Sequence, residues 1–202
     1  MAVDPQRPLI HLNFAVDARG RVAAEDGTAT DISCARDWQR VHTLRERYSA
    51  VGVGAHTWLR DRPRLTVRAA RLGRAPQRQP SRVIFAGSHR CPVDVDERPT
   101  FVVGTQARQG DEVIIAYRDR QLQQPLSQLY GECGVESLLV EGGPTLLRSF
   151  VAQGTHDRIT IFVQTTDVAS ADRAARAVVP GLPDKLAGKP FGDGVLLRHQ
   201  SR

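Results

Sequence analysis

The chain has 202 residues, of which 28 are basic and 22 are acidic, giving a formal net charge of +6 at pH 7. Its apolar share of 41% excludes intrinsic disorder, and no run of about 18 apolar residues is available to span a membrane. The N-terminus lacks the apolar segment of a secretion signal, and three cysteines without CxxC spacing predict reduced thiols in the cytoplasm. Because the six histidines and three cysteines show no metal-ligand spacing, we predict no metal site.

The basic charge of the chain is carried almost wholly by arginine, since Lys185 and Lys189 are its only lysines. The planar fork of arginine suits phosphate and carboxylate groups better than the point charge of lysine does. The arginines are scattered among acidic residues, as in Arg60-Asp61-Arg62, with no long basic run and no interleaved aromatics. We therefore expect an anionic small-molecule ligand and no nucleic-acid or membrane partner.

Strand-like and helix-like patterns alternate along the chain, which is typical of an α/β domain. Residues 9–16 alternate as a strand does, so their side chains divide between two faces. One face carries Ile10, Leu12, Phe14 and Val16. The other face carries Leu9, His11, Asn13 and Ala15.

The remaining elements follow from periodicity and from capping residues. Ser33 is predicted to cap a helix over 34–48, and a short helix over 55–60 ends before Pro63. Further helices are predicted over 123–133 and 144–153. Further strands are predicted over 50–54, 82–86, 100–103, 112–116, 137–141, 158–163 and 194–199. Residues 69–81 are predicted to form a loop, and no element is predicted within the Ala-, Pro- and Gly-rich residues 167–192. We predict one domain over residues 1–202 with a largely parallel sheet.

A glycine pair lies where an apolar strand passes into a helix, in the segment 137–147. Gly142 and Gly143 permit close approach of a ligand, and the helix that Pro144 opens presents free N–H groups and a partial positive charge. A phosphate or pyrophosphate should bind there, with the Thr145 hydroxyl as a further donor. On these residues alone, a tight turn that binds nothing remains an alternative.

A second segment, 52–68, also runs from a strand through glycine to a short helix, and it ends in a loop that carries Arg68. Taken alone, Arg68 and Arg45 are most simply solvated surface charges. The GxGxxG fingerprint of the Rossmann fold does not occur in the chain, so a nucleotide here would be held by another architecture.

Taken together, these motifs resemble the reductase domain of riboflavin biosynthesis, which shares the dihydrofolate reductase fold. The resemblance rests on the following segments: Leu44-Arg45, Gly54-Ala55-His56-Thr57, Asp61-x-Pro63-x-Leu65-Thr66-x-Arg68 and Val140-Glu141-Gly142-Gly143-Pro144-Thr145-Leu146. It implies a three-layer α/β/α fold with a central, mostly parallel mixed sheet. It also implies NADPH-dependent reduction of the ribosylamino group of a diaminopyrimidinone 5′-phosphate to a ribitylamino group.

The resemblance assigns roles position by position. The cofactor contacts that it implies are Ala15, Thr57, Asp61, Ser88, Gly142, Gly143, Pro144, Thr145 and Leu146, with Ser88 on the adenosine side. Arg45 and Arg68 match the arginines that hold the 5′-phosphate of the substrate, with Leu65 beside them. Glu141 matches the carboxylate that contacts the pyrimidine, which a carboxylate can do by accepting two hydrogen bonds.

The end of the first strand departs from the family pattern. The family usually has Ser-Leu-Asp-Gly, where this chain has Asp17-Ala18-Arg19-Gly20, and a position that is often lysine is Asn13. Because positions 17 and 19 point to the same side of a strand, Asp17 is predicted to replace the missing carboxylate. Alternatively, Arg19 recruits a differently charged substrate. We predict that the catalytic residues are Asn13 and Asp17.

Three functions are compatible with this sequence. The first is the riboflavin-pathway reductase itself, which by analogy with the family would be a cytoplasmic homodimer with another chain supplying deamination. The second is a related reductase that acts on a different pyrimidine or on a pterin-like substrate. The third is a nucleotide-binding module that has lost catalysis. This hypothesis is motivated by Arg19, which stands where the family usually has aspartate.

Overall fold

A computed structural model describes residues 7–22, 32–93, 98–105, 113–116 and 121–201. Its strands are β1 (Leu9–Asp17), β2 (Ala50–Gly54), β3 (Ser81–Gly87), β4 (Thr100–Gly104), β5 (Val113–Ala116), β6 (Ser137–Val140), β7 (Arg158–Gln164), β8 (Ala187–Phe191) and β9 (Gly194–Gln200). Its helices are α1 (Ala35–Arg47), α2 (Ala55–Asp61), α3 (Ala69–Leu72), α4 (Gln123–Gly131), α5 (Pro144–Ala152) and α6 (Val168–Val178).

All of the described strands join one mixed sheet in the order β5-β4-β3-β2-β6-β1-β7-β9-β8. Every neighbouring pair from β5 to β7 is parallel, whereas β9 runs antiparallel to both β7 and β8. The carboxyl ends of β1, β2 and β6 therefore meet at one edge of the sheet, where α/β folds bind ligands.

Strand β1 shows why the sheet has two differently packed faces. Its large apolar side chains, Ile10, Leu12, Phe14 and Val16, are buried in a core that also contains residues of α4, α5 and α6. His11 and Asn13 point to the opposite face, where they contact side chains of Tyr48 and Arg40. The alternation predicted for 9–16 is confirmed.

Helices cover both faces of the sheet. On the second face, Tyr48, Trp58 and Leu65 pack with apolar side chains of β2, β3, β4 and β6 in a separate core. The predicted three-layer α/β/α architecture with a mostly parallel mixed sheet is therefore confirmed.

Three details of the secondary structure differ from prediction. Cys34, not Ser33, caps α1, because the Sγ atom of Cys34 accepts a hydrogen bond from the backbone N–H of Asp37 at 3.4 Å. The predicted loop over 69–81 begins with the one-turn helix α3, which buries Leu72 and ends at Gly73 with φ of +75°.

The third difference is that residues 167–192 contain both α6 and β8. Asp167 caps α6 by accepting from the N–H of Ser170 at 2.6 Å, and the buried face of the helix is built mainly of alanines. The segment is rich in Ala, Pro and Gly, and this composition hides the helical spacing of its buried residues, which are Ala171, Ala174, Ala175 and Val178. Strand β8 lies at the edge of the sheet, its residues are largely exposed, and it contains Pro190, so it lacks the usual strand signal.

No helix of the described residues is long and apolar enough to cross a membrane. Within the same residues, no group of three or more His, Cys, Asp or Glu side chains is placed to hold a metal ion.

Candidate active site

A cleft of about 490 Å³ opens at the carboxyl ends of β1, β2 and β6, between α1, α2 and the start of α5. Most of the residues that the sequence singled out line it. They are Asn13, Ala15, Arg45, Thr57, Asp61, Leu65, Glu141, Gly142, Gly143, Pro144 and Thr145. The sequence motifs, which are far apart along the chain, thus converge on one site.

The glycine turn after β6 forms one wall of the cleft. Backbone bonds hold it against β2, since the N–H of Glu141 donates to the Gly52 carbonyl at 2.9 Å and that of Gly54 donates to the Gly142 carbonyl at 3.3 Å. Gly143 has φ of +84°, and a Cβ atom placed on it would lie 3.3 Å from Oγ1 of Thr57. Glycine is therefore required here both by the backbone conformation and by the space in front of the turn.

The start of α5 presents unpaired backbone donors beside this turn. Pro144 occupies the first turn of the nine-residue helix, and the residue before it, Gly143, provides no side-chain cap. The first N–H groups of a helix are natural donors to an anion, and the helix dipole adds a partial positive charge. The exposed Thr145 adds a hydroxyl at the same place.

Helix α2 faces the glycine turn across the cleft. Thr57 lies closest to the turn, with its Oγ1 atom directed towards the space above Gly143. Asp61, at the other end of the helix, pairs with the adjacent Arg60 through a contact of 2.7 Å between Arg60 Nε and Asp61 Oδ1. Both polar groups thus lie on one wall of the cleft, with the two carboxylate oxygens of Asp61 engaged by Arg60.

Arg45 and Glu141 form a bidentate ion pair at the base of the cleft. Nε and Nη2 of Arg45 donate to the two carboxylate oxygens of Glu141 at 2.8 and 2.6 Å, and Nη1 donates to the carbonyl of Thr66 at 2.9 Å. Burial alone would lower the pKa of Arg45, but the charge and hydrogen bonds of Glu141 outweigh it and raise that pKa above its ordinary value. All three nitrogens of this guanidinium are consequently engaged within the protein.

Leu65 and Arg68 lie on the loop that follows α2. Leu65 is buried and has φ of +53°, a strained conformation for a residue other than glycine, which the surrounding packing must enforce. The backbone N–H of Arg68 donates to Nδ1 of His42 on α1 at 3.0 Å. The side chain of Arg68 is exposed, has no partner among the described residues and does not line the cleft.

Asn13 is held by a charged neighbour that the sequence did not single out. Nη1 of Arg40 donates to Oδ1 of Asn13 at 2.8 Å, and Nε of Arg40 donates to Oδ1 of Asp37 at 2.8 Å. Because a guanidinium can only donate, the atom of Asn13 facing Arg40 is the oxygen, which leaves Nδ2 as a donor without a partner in the described chain. The second oxygen of Asp37, buried in the wall of the cleft, also lacks a partner there.

Besides Arg68, three predicted site residues lie outside the lining of the cleft. Asp17 closes the turn after β1, where its Oδ1 accepts from the N–H groups of Arg19 and Arg21 and its Oδ2 accepts from Nε of Arg21. Burial alone would raise the pKa of Asp17, but these hydrogen bonds lower it below its usual value. Ser88 is exposed in the turn after β3, and Leu146 packs behind the glycine turn against Gly54.

Sequence reasoning missed three residues of α1 that line the cleft, Asp37, Trp38 and Val41. The available signal was their position one turn or two before Arg45 on the same helix, since residues three or four apart share a helix face. Arg40, which holds Asn13 from outside the cleft, gave no such signal because its contact spans 27 residues of sequence.

A sequence model of the RibD C-terminal domain family matches residues 8–166. The chain belongs to this family. It is 36% identical over 189 residues to the 2,5-diamino-6-ribosylamino-4(3H)-pyrimidinone 5′-phosphate reductase of Methanothermobacter thermautotrophicus, covering 87% of this chain and 85% of that protein.

Some relatives are longer than this chain. The chain is 30% identical over 173 residues to the riboflavin biosynthesis protein RibD of Aquifex aeolicus, covering 80% of this chain and 47% of that protein. Its fold matches the crystal structure of a diaminohydroxyphosphoribosylaminopyrimidine deaminase/5-amino-6-(5-phosphoribosylamino)uracil reductase from Thermotoga maritima. That match has a TM-score of 0.75 at 27% identity and covers 96% of this chain and 56% of the other. The chain thus spans about half the length of these longer relatives.

Proposed function

We propose that this chain is an NADPH-dependent reductase of riboflavin biosynthesis. Its substrate would be a diaminopyrimidinone, or amino-uracil, 5′-phosphate, whose ribosylamino group becomes a ribitylamino group. The observation that carries the proposal is that one cleft contains the glycine turn, the start of α5 and the Arg45–Glu141 pair. The archaeal relative named for this reaction, 36% identical over most of both chains, supports it.

The residues of the cleft fit a nicotinamide dinucleotide. The space that a Cβ atom on Gly143 would enter lies in front of the uncapped start of α5, which suits a diphosphate. Gly142, Gly143, Pro144 and Thr145 would hold the phosphates, and Thr57, Asp61 and Ala15 would contact the nucleotide from the facing wall. Ser88 and Leu146 would lie farther from the nucleotide, and Leu146 would support the glycine turn from behind.

Charged side chains would hold the substrate at its two ends, which are the pyrimidine and the 5′-phosphate. Each oxygen of Glu141 has a further lone pair, so this carboxylate can accept from a pyrimidine amino group while it remains paired with Arg45. Arg45 therefore orients Glu141, and the exposed guanidinium of Arg68 is the better candidate to hold the 5′-phosphate. Leu65 supports the loop that carries Arg68.

The reaction has two parts, which are opening of the ribose ring and reduction of the imine that results. Opening of the ribose breaks the bond between C1′ and the ring oxygen, moves the amine proton to that oxygen and leaves an imine between C1′ and the nitrogen. When bound, NADPH supplies the hydride that C1′ accepts. The nitrogen then takes one proton, which gives the ribitylamino group.

Asn13 is the catalytic candidate that the geometry supports. Its Nδ2 atom can donate a hydrogen bond to a substrate oxygen or nitrogen, because Arg40 fixes the orientation of its amide. A carboxyl group with a lowered pKa is a poor proton donor near pH 7, so we assign Asp17 to shaping the turn after β1. The proton itself would then come from water.

The assembly and location of the protein are further parts of this proposal. On the resemblance to the family, we propose that the chain is one reductase domain and that two copies form a homodimer in the cytoplasm. Sedimentation velocity measures the oligomeric state directly.

Turnover tests the proposal. The purified chain, NADPH and the ribosylaminopyrimidinone phosphate are mixed, and the loss of nicotinamide absorbance at 340 nm is followed, with the diamino and the amino-uracil forms tested separately. Consumption of NADPH with formation of the ribitylamino product supports the assignment. Binding of NADPH without turnover of either compound overturns it and favours a related substrate or an inactive module.

A further inference from the structure

A second cavity lies on the opposite side of α1 from the cleft. It is a groove of about 760 Å³ between α1 and the β7, β9 and β8 end of the sheet. We name it the arginine groove after its five arginines, which are Arg36, Arg40, Arg47, Arg158 and Arg198. No Asp or Glu is found among the described residues that line it. Its volume lies in the range of small-molecule sites, roughly 300–1,000 Å³.

The spacing of α1 explains why one helix separates two sites. Residues three or four apart share a helix face, so Asp37, Val41 and Arg45 line the cleft. Arg40 and Arg47, with Arg36 and Thr43, lie on the other face and line the groove. Helix α1 is thus a wall with a binding surface on each side.

The register of the sheet supplies the other arginines. Arg158 on β7 pairs with His11 on β1, and Arg198 on β9 pairs with Thr160 on β7. Since paired residues point to the same face, both arginines extend on the side of the sheet that carries α1. His11 itself is buried beneath them, bonded to the hydroxyls of Tyr48 and Thr160 at 2.8 and 2.7 Å.

The arginines of the groove lack carboxylate partners with one exception. Arg40 is paired with Asp37, whereas Arg47, Arg158 and Arg198 form no ion pair within the described part of the chain. The guanidinium of Arg36 lies over the ring of Phe191, 4.6 Å from its centre. Burial, and after it the charges of Arg40, Arg158 and Arg198, lower the pKa of His11 beneath the groove to about 3.

We propose that the arginine groove binds a small molecule with two or more phosphate groups, at a site separate from the reductase cleft. Guanidinium forks without competing carboxylates match the charge and the geometry of phosphate oxygens. A second copy of the chain is a poorer occupant where a two-fold axis passes through the groove, because that contact would bring two such grooves face to face and oppose like charges. The proposal does not depend on the reductase assignment.

Titration with inorganic pyrophosphate tests the proposal. Binding to the wild-type chain is measured by calorimetry at about 0.15 M ionic strength. The groove variant is Arg47→Ala/Arg198→Ala, and the control is Arg64→Ala/Arg173→Ala, which removes two exposed arginines outside the groove. Because hydrogen bonds from a guanidinium to phosphate are stronger than those between neutral groups, we expect the groove variant to lose at least about tenfold in affinity and the control less than about twofold.

Amide shifts in a heteronuclear NMR spectrum locate the ligand independently of the variants. Pyrophosphate should shift residues 36–47, 158–160 and 198–200 more than residues 142–145. A parallel titration with ADP separates the sources of the phosphates, because tighter binding of ADP in the groove indicates a nucleotide and equal binding indicates the phosphates alone.

Four results would overturn the proposal. They are no binding of pyrophosphate, equal losses in the two double variants, shifts confined to 142–145, and a dimer that the groove variant dissociates. Tighter binding of a single-stranded oligonucleotide than of pyrophosphate, abolished in the groove variant, would also overturn it in favour of nucleic acid.

Discussion

Arg45 on α1 and Glu141 after β6 are joined by two hydrogen bonds of 2.8 and 2.6 Å, although 96 residues separate them in sequence. The two side chains are only about a tenth exposed, at 11% and 9%. The pair links the helix that forms one wall of the cleft to the turn that forms another. It therefore fixes the shape of the cleft as well as the charge at its base.

Removal of one partner should destabilise the fold. In Glu141→Ala, Arg45 becomes a buried charge without its carboxylate, and we expect a loss of about 3–5 kcal/mol in the free energy of unfolding. Urea denaturation measures this change. The double variant Arg45→Met/Glu141→Ala should lose less than the sum of the two single variants, because it removes the unpaired charge. Additive losses would mean that the two side chains do not interact.

The two motifs of the site differ in how much the sequence could reveal about them. The glycine turn was predictable, because Gly142, Gly143 and Pro144 have a local conformational meaning at a strand-to-helix junction. The pairing of Arg45 with Glu141 was not, since it depends on how α1 packs against the end of β6. The resemblance to the family therefore assigned both Arg45 and Glu141 to the site, but with separate parts of the substrate as their ligands.

The same distinction holds for the fold. The alternation in β1 predicted which face of the sheet each side chain occupies, whereas side chains of both faces, such as Leu12 and Asn13, are buried because the sheet is covered on both sides. Helix α6 was missed because it lies in an Ala-, Pro- and Gly-rich segment, although alanines such as Ala171 and Ala175 recur at helical spacing and are fully buried. In the turn after β1, the backbone N–H groups of Arg19 and Arg21 fold back to the carboxylate of Asp17. The alternation of a strand does not predict such a turn.

Gly143→Ala should weaken cofactor binding. The new Cβ atom would lie 3.3 Å from Oγ1 of Thr57, in the space proposed for the diphosphate, and we expect at least a roughly tenfold loss in NADPH affinity. Gly154→Ala is the matched control, because Gly154 also has a positive φ, of +62°, but a Cβ atom there meets nothing within 4 Å.

Both glycine variants should lose about 1–2 kcal/mol of stability through backbone strain, and Gly143→Ala alone should lose affinity. Fluorescence titration of NADPH separates the two effects. Equal NADPH affinities in the two variants would contradict the role of the glycine turn. The larger substitution Gly143→Val should impair NADPH binding further.

Arg68→Ala should raise the KM for the phosphorylated substrate much more than the Kd for NADPH. Loss of a charge-assisted contact to phosphate corresponds to a rise of roughly ten- to a hundredfold in KM. Arg64→Ala, an exposed arginine on the same loop, is the control and should change KM little. Steady-state kinetics measures KM for both variants. A similar rise in KM for the two would mean that Arg68 does not bind the substrate.

Asn13→Asp should lower kcat while leaving the fold intact. The aspartate still accepts from Arg40, so its orientation is kept, but the Nδ2 donor is lost. We expect kcat to fall by about ten- to a hundredfold with a smaller change in the Kd for NADPH. Asn13→Gln, which restores a donor at a different reach, should recover part of the loss. An unchanged kcat in Asn13→Asp would show that Nδ2 has no part in the reaction.

Two buried histidines should make the stability of the protein fall in mild acid. Burial, followed by the charges of neighbouring arginines, lowers the pKa of His42 to about 4 and that of His11 to about 3. An unfolded histidine takes up a proton near pH 6.5, so below that pH the unfolded chain binds more protons than the folded one. Stability contributed by neutral His42 is therefore present above pH 6.5 and is lost as the pH falls towards 4.

His42→Asn tests this linkage, because its side-chain oxygen can still accept from the N–H of Arg68 but does not titrate. Each histidine contributes a slope of at most about 1.4 kcal/mol per pH unit, so the variant should show a shallower loss of stability between pH 6.5 and 4. The measurement is urea unfolding across this range, with the exposed His56→Asn as the control. A slope that His42→Asn leaves unchanged would mean that His42 is already charged in the folded protein.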